Sequence, residues 1–157
     1  MRAGLGGLGP EQLVYRPNEV ANSIGWLAWH LTRVQDDHVS DLAGRDQAWI
    51  ADGWHARFGK PPEPDDTGFG YTPEQVGAFR PPSAQLLLDY YAAVHQRSLA
   101  YLRSVEPADL DGVLDEPQWD PLPTVGVRLI SVIDDCLEHV GQIAYLRGLI
   151  QPGWCAF

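Results

Sequence analysis

Thr124-Val-Gly-Val-Arg-Leu-Ile-Ser-Val-Ile-Asp-Asp-Cys-Leu-Glu-His-Val-Gly-Gln-Ile-Ala-Tyr-Leu-Arg-Gly-Leu149 is the longest helical pattern in the chain, and its reading decides the fold class. Thr124 is a ready N-cap, and Gly148 with Pro152-Gly153 marks the end. The apolar set is Val127, Ile130, Val132, Ile133, Cys136, Leu137, Val140, Ile143, Leu146 and Leu149. It is wider than a single stripe, which predicts a central rather than a peripheral helix.

Working outward, two more long helices follow from the same period. Ser23 or Asn22 caps one whose apolar positions are Ile24, Leu27, Leu31, Val34, Val39 and Leu42, running to about Ala43 with Gly44 closing it. Ser83 caps another at about 84–104, carrying Leu86, Leu87, Tyr90, Tyr91, Val94, Leu99 and Leu102. Between them, Trp49, Trp54 and Phe58 suggest one short amphipathic helix. Gly59 to Tyr71 is a loop by composition, and Thr72-Pro-Glu-Gln75 is a capping box opening a short helix. Val105 to Pro123 reads as loop. The glycine-rich first dozen residues cannot hold a stable helix alone, although Pro10-Glu-Gln-Leu13 can form one turn. No strand pattern competes, so the class is all-α, one domain over 1–157.

The balance of 11 basic against 21 acidic residues excludes a phosphate-neutralising nucleic-acid surface and adsorption to anionic membranes. Only Lys60 is a lysine; the richness in Gly, Pro, Ala and Arg suggests GC-rich coding. No apolar run reaches membrane length without charge, and the start lacks the apolar core of a signal peptide. Two cysteines do not make a disulfide framework; they read as reduced thiols of a cytoplasmic protein, with Cys136 in the core and Cys155 more accessible.

Chemistry concentrates on His30 and His139. Each lies in a long helical pattern among apolar residues, and Asp135 precedes His139 by one turn on the same face. A lone histidine on such a face is more often a core residue than a ligand. The pair, together with a carboxylate that is costly to bury alone, favours a divalent metal held by His30, Asp135 and His139. Around them, Trp26 sits one turn before His30, as core packing or as an aromatic wall of a substrate pocket. Arg128, two turns before Asp135, suits either an anionic substrate or an ion pair. Gln142, three residues after His139, can hydrogen-bond a ligand or water. Asp37 reads as solvated or paired with Arg33 or Arg128, and Glu138 as a weaker ligand candidate. His38, His55 and His95 read as surface or loop positions. Cys136 with His139 lacks the basic cluster that activates a cysteine nucleophile, and no Gly-rich phosphate loop follows a strand.

The segments Asn22-Ser-Ile-Gly-Trp-Leu-Ala-Trp-His-Leu31, Trp54-His-Ala-Arg-Phe-Gly59, Asp66-Thr-Gly-Phe-Gly-Tyr-Thr-Pro73, Trp119-Asp-Pro121 and Glu138-His-Val-Gly-Gln142 resemble the DinB-like superfamily of metal-binding four-helix bundles. The nearest likeness is to its actinobacterial mycothiol-dependent transferases and maleylpyruvate isomerases. The resemblance spans nearly the whole chain after residue 10. It implies a DinB-like four-helix bundle with long irregular loops, and a divalent metal, zinc first and nickel or another transition metal next. It further implies a low-molecular-weight thiol and a small electrophilic substrate as partners in an S-transfer reaction. Alternatives on the same fold are a metal-dependent hydrolase and a non-catalytic metal-binding stress protein. The family's early-helix histidine and its His-or-Glu, x, x, x, His pair fall on His30, Asp135 and His139. Asp135 is shorter than the residue the family places there, so the metal would sit nearer the last helix or be reached through water. The start of the chain looks like the tail of the family's first helix. That suggests a shortened first helix with a homodimer or a rearranged N-terminus covering apolar surface, or a start codon lying upstream.

Overall fold

A computed structural model describes residues 1–155. It is helical throughout: α1 (Arg2–Leu5), α2 (Pro10–Leu13), α3 (Ile24–Leu42), α4 (Ala48–Ala51), α5 (Trp54–Arg57), α6 (Pro73–Ala78), α7 (Ala84–Leu102) and α8 (Val125–Ile150), with a 3-10 turn at Pro107–Asp111. The predicted caps form. Ser23, Thr72, Ser83 and Thr124 each accept a hydrogen bond from a backbone N–H in the first turn that follows. The long helices end within about two residues of the positions read from sequence.

α3 packs on both α7 and α8. Its N-terminal end meets the start of α7, where Gly25 lies against Pro81, and near its far end Arg45 donates to the Arg97 carbonyl (2.8 Å). α3 therefore runs in the general direction of α7. It runs opposite to α8, since His30 lies beside His139 while His38 meets Arg128. The one-turn α1 sits against α7 and α8. It is held by packing and not by its own propensity: Leu5 is fully buried, Gly4 abuts Ile143, and Arg147 Nη1 donates to the Ala3 carbonyl (2.6 Å).

Three expectations are corrected. The aromatic stretch after α3 forms two one-turn helices, because Gly53 between them adopts φ +66° and turns the chain. The central helix is α3, buried along most of its length, and not α8. The wide apolar band of α8 divides: Val132, Ile143 and Leu146 face the core, whereas Ile130, Ile133 and Leu137 are 53–68% exposed. The 105–123 stretch also holds more order than loop composition implied, through the 3-10 turn and an antiparallel bridge between Val113 and Thr124.

Beside the site, the core is built on a buried charge network. Arg33 is fully buried and Asp36 nearly so, 3.5 Å apart. Asp36 accepts from the Ala48 and Trp49 amides (2.9 and 2.8 Å) and from the Tyr90 hydroxyl (2.8 Å). Arg33 donates to Gln47, to Tyr90 and to the Pro64 and Asp66 carbonyls. This ties α3 to α4, α7 and the 59–71 loop, with every partner of the charge satisfied inside the protein. The partner of Arg33 is thus Asp36 and not Asp37, which instead accepts from Gln47 Nε2 (2.7 Å).

Candidate metal centre

α3 and α8 cross where His30 faces Asp135 and His139. Potential ligand atoms, one each from His30, Asp135 and His139, lie within 4.8 Å of one another. Asp135 Oδ1 is 3.9 Å from His30 Nε2 and 3.4 Å from His139 Nε2. Ligands bound tetrahedrally to zinc at about 2.0–2.1 Å stand roughly 3.2–3.5 Å apart, so small side-chain adjustments bring this set to ligating distance.

Each ring is fixed from its far side. His30 Nδ1–H donates to the Thr67 carbonyl (2.6 Å), and His139 Nδ1–H donates to Gln142 Oε1 (3.0 Å). Both Nε2 atoms are then left as acceptors turned toward Asp135, the tautomer a metal ligand needs. Trp26 stacks on His30 with ring centroids 4.6 Å apart and an interplanar angle of 14°. It is at once buried core and one wall of the site. The remaining Asp135 oxygen, Oδ2, is buried without a hydrogen-bond partner. A carboxylate with one orphaned oxygen, whose other oxygen faces two imidazole lone pairs, is a poor arrangement for a bare protein and a good one for a cation.

Without a metal the two histidines shift in opposite directions. His139 is raised above the ordinary histidine value, first by its contact with Asp135. His30 is lowered, because burial opposes its charge more than Thr67 and Asp135 favour it.

The other candidates fall into place around this set. Gln142 orients His139 and is otherwise exposed. Arg128 pairs with Glu116 and lies 2.7 Å from His38 Nδ1, so its charge is already partnered. It borders a polar cavity of about 410 Å³ that Asp37, His38 and Asp41 also line. Glu138 is exposed and outside the triad. It lines a second cavity of about 610 Å³ with Leu27, Gln142 and Tyr145. His38 is a half-buried helical residue and not a surface one, and His95 stacks on Tyr91 within α7. Cys136 is partly buried, lies 4.0 Å from Gln35 Oε1 and is outside the triad, and burial raises its thiol to about 11; Cys155 is exposed.

The loop residues Thr67 and Gly68 were not found from sequence. A carbonyl ligand leaves no side-chain signature, and Gly68 matters through what it lacks. At φ +88° it lies so close to the site that a Cβ there would come within 2.7 Å of Trp29 and 3.4 Å of His30 Nδ1. The loop is pinned by Lys60, which meets Asp66 at 2.6 Å and the Tyr71 hydroxyl at 2.9 Å.

Among the described residues no helix is long and apolar enough to cross a membrane. No functionally curated protein matches the chain. A solved structure does: a conserved protein from Enterococcus faecalis, 33% identical, with a TM-score of 0.85, matching over 94% of this chain and 86% of that one. The family model of the DinB superfamily matches residues 1–143, a span that holds all three members of the triad. This chain belongs to the DinB superfamily.

Proposed function

We propose that the protein is a divalent-metal-dependent enzyme that transfers a low-molecular-weight thiol, of the mycothiol kind, to a small electrophile. The observation that carries the metal part is the convergence of His30, Asp135 and His139, with Asp135 Oδ1 3.9 Å from His30 Nε2 and 3.4 Å from His139 Nε2, beside a carboxylate oxygen, Oδ2, that has no hydrogen-bond partner. His30, Asp135 and His139 would hold the ion, zinc being the first candidate for a set of two imidazoles and a carboxylate. When bound, the ion would supply the Lewis acidity that makes a thiolate of a thiol at neutral pH.

The protein's own groups do the rest. Thr67 and Gln142 hold both imidazoles in the ligating tautomer. Trp26 covers one side of His30 and keeps water from it. Among the described residues Cys136 is the thiol nearest the triad in sequence, and burial holds it as a thiol. That supports a nucleophile brought in by a cosubstrate; its identity as a small thiol rests on the likeness to the thiol-dependent branch.

The test is a metal-reconstituted assay with mycothiol or a cysteine-containing analogue and a fluorogenic electrophile. Consumption of thiol that stops on chelation and is absent in His139→Ala supports the transferase. Hydrolysis of ester or amide probes without thiol use would replace it with a metal hydrolase. Tight metal binding with neither activity would assign a non-catalytic metal-binding role.

A further inference from the structure

Lys60 is the chain's sole lysine. Its Nζ spends two of its three N–H donors, on Asp66 (2.6 Å) and on the Tyr71 hydroxyl (2.9 Å), and stands 4.8 Å from the Trp29 ring centroid. Beside it opens a cavity of about 380 Å³, lined by Lys60, Gln75 and Arg80 with Phe58, Tyr71 and Phe79 around them. The charged lining is entirely basic, on a chain whose formal charge is −10. By contrast, the cavity bordered by Arg128 carries Asp37, Asp41 and Asp46, and the one beside Gln142 carries Glu138. None of His30, Asp135 and His139 lines the Lys60 cavity.

Three side chains bring spare donors to this space. The third N–H of Lys60 has no partner among the described residues. Gln75 accepts from the Thr72 amide through Oε1 (2.8 Å), which leaves its Nε2 group free to donate. Arg80 Nη1 caps the last carbonyls of α6, at Gly77 and Phe79. The rest of that guanidinium makes no hydrogen bond or ion pair among the described residues. Asp66 balances Lys60, so Arg80 supplies the surplus charge. An oxyanion, acceptor on every oxygen, suits all three donors, and an ammonium suits none. The aromatic rings form an apolar wall. The volume lies at the lower end of the roughly 300–1,000 Å³ of small-molecule sites, room for one ring with its acid group.

We propose that this cavity binds a small organic oxyanion, a carboxylate or a phosphate monoester carried on an aromatic body. The acid group sits between Lys60, Gln75 and Arg80, and the ring lies against Phe58, Tyr71 and Phe79. Lys60 gains an acceptor without releasing Asp66, so the ligand reinforces the brace on the 59–71 loop. Binding is independent of the metal centre.

Titration calorimetry of phenyl phosphate and of benzoate into the whole 157-residue chain, as purified and after chelation, tests it. Inorganic phosphate, acetate and benzylammonium serve as comparison probes. The expected result is one site per chain for at least one of the two ring-bearing anions, unchanged by chelation, with a melting temperature that rises with ligand. Preference for phenyl phosphate assigns a phosphate ester, and preference for benzoate a carboxylic acid. Arg80→Gln weakens binding about tenfold or more with helix content unchanged, since Arg80 is exposed. Lys60→Met weakens it likewise. Arg103→Gln, an equal change of charge at the exposed end of α7, has no effect. No saturation by either anion up to about 10 mM overturns the proposal. So does binding that chelation abolishes, binding that both variants keep, or benzylammonium bound as tightly. Inorganic phosphate or acetate bound as tightly as its ring-bearing counterpart also overturns it, because the aromatic wall would then contribute nothing.

Discussion

His30 Nδ1–H donates a hydrogen bond to the carbonyl of Thr67, 2.6 Å away, which leaves its Nε2 lone pair facing Asp135. A loop 37 residues distant in sequence decides how a helix residue presents itself to α8.

Gly68 tests that relationship. Gly68→Ala places a methyl 2.7 Å from the Trp29 ring and 3.2 Å from Trp26, at a φ of +88°. The loop must move off His30 to accommodate it. The expected cost is about 1–3 kcal/mol of stability, read by urea unfolding, with a parallel fall in metal affinity. An unchanged midpoint and unchanged affinity would show that the loop does not hold the histidine.

Asp135 is expected to act as a direct ligand, since its Oδ1 lies 3.4 Å from His139 Nε2 and 3.9 Å from His30 Nε2. Asp135→Asn should weaken metal binding beyond the roughly 10–100-fold typical of outer-shell changes. Asp135→Glu should retain most of it. Titration calorimetry on both variants decides the point; if Asp135→Asn binds as tightly as wild type, the carboxylate is not a ligand.

The Arg33–Asp36 pair makes a separate demand. Asp36→Ala leaves a fully buried guanidinium and two amides short of their partner, which should cost about 3–5 kcal/mol. Asp41→Ala, on the exposed side of the same helix, should stay within about 0.5 kcal/mol. Equal unfolding midpoints for the two variants would contradict this reading of the core.

Metal binding should depend on pH with a definite sign. In the metal-free protein His139 is raised by Asp135, so its stabilising contact is complete at low pH and is lost as pH rises through its raised value. His30 is lowered by burial and costs stability as pH falls below the ordinary histidine range. A divalent ion must displace the His139 proton. The metal-induced rise in melting temperature should therefore grow between about pH 5 and pH 8, and begin to fall off on acidification above the ordinary histidine value. A pH-independent rise would mean that His139 does not bind the ion.

Much of this was legible beforehand because it is local. Caps such as Ser23 and Thr124 act within one turn, and His30 and the Asp135–His139 pair sit on long periodic helices. The missed features are non-local. Periodicity on α8 marks which residues are apolar but not which side the neighbouring helices cover, so an exposed ridge read as core. Arg33 was read as a possible partner of Asp37, because nothing in its own turn reveals that Asp36, Tyr90 and the Trp49 amide close over one another there. Likewise, the split between α4 and α5 depends on the positive φ of Gly53.

The most direct test of the central claim is metal content by elemental analysis on protein purified without added metal and after zinc reconstitution, for wild type, His30→Ala, His139→Ala, His38→Ala and His95→Ala. The expected result is about one divalent ion per chain in wild type, His38→Ala and His95→Ala, and little in His30→Ala and His139→Ala despite native helix content. Equal metal in all five proteins, or none in reconstituted wild type, would contradict a metal centre at His30, Asp135 and His139.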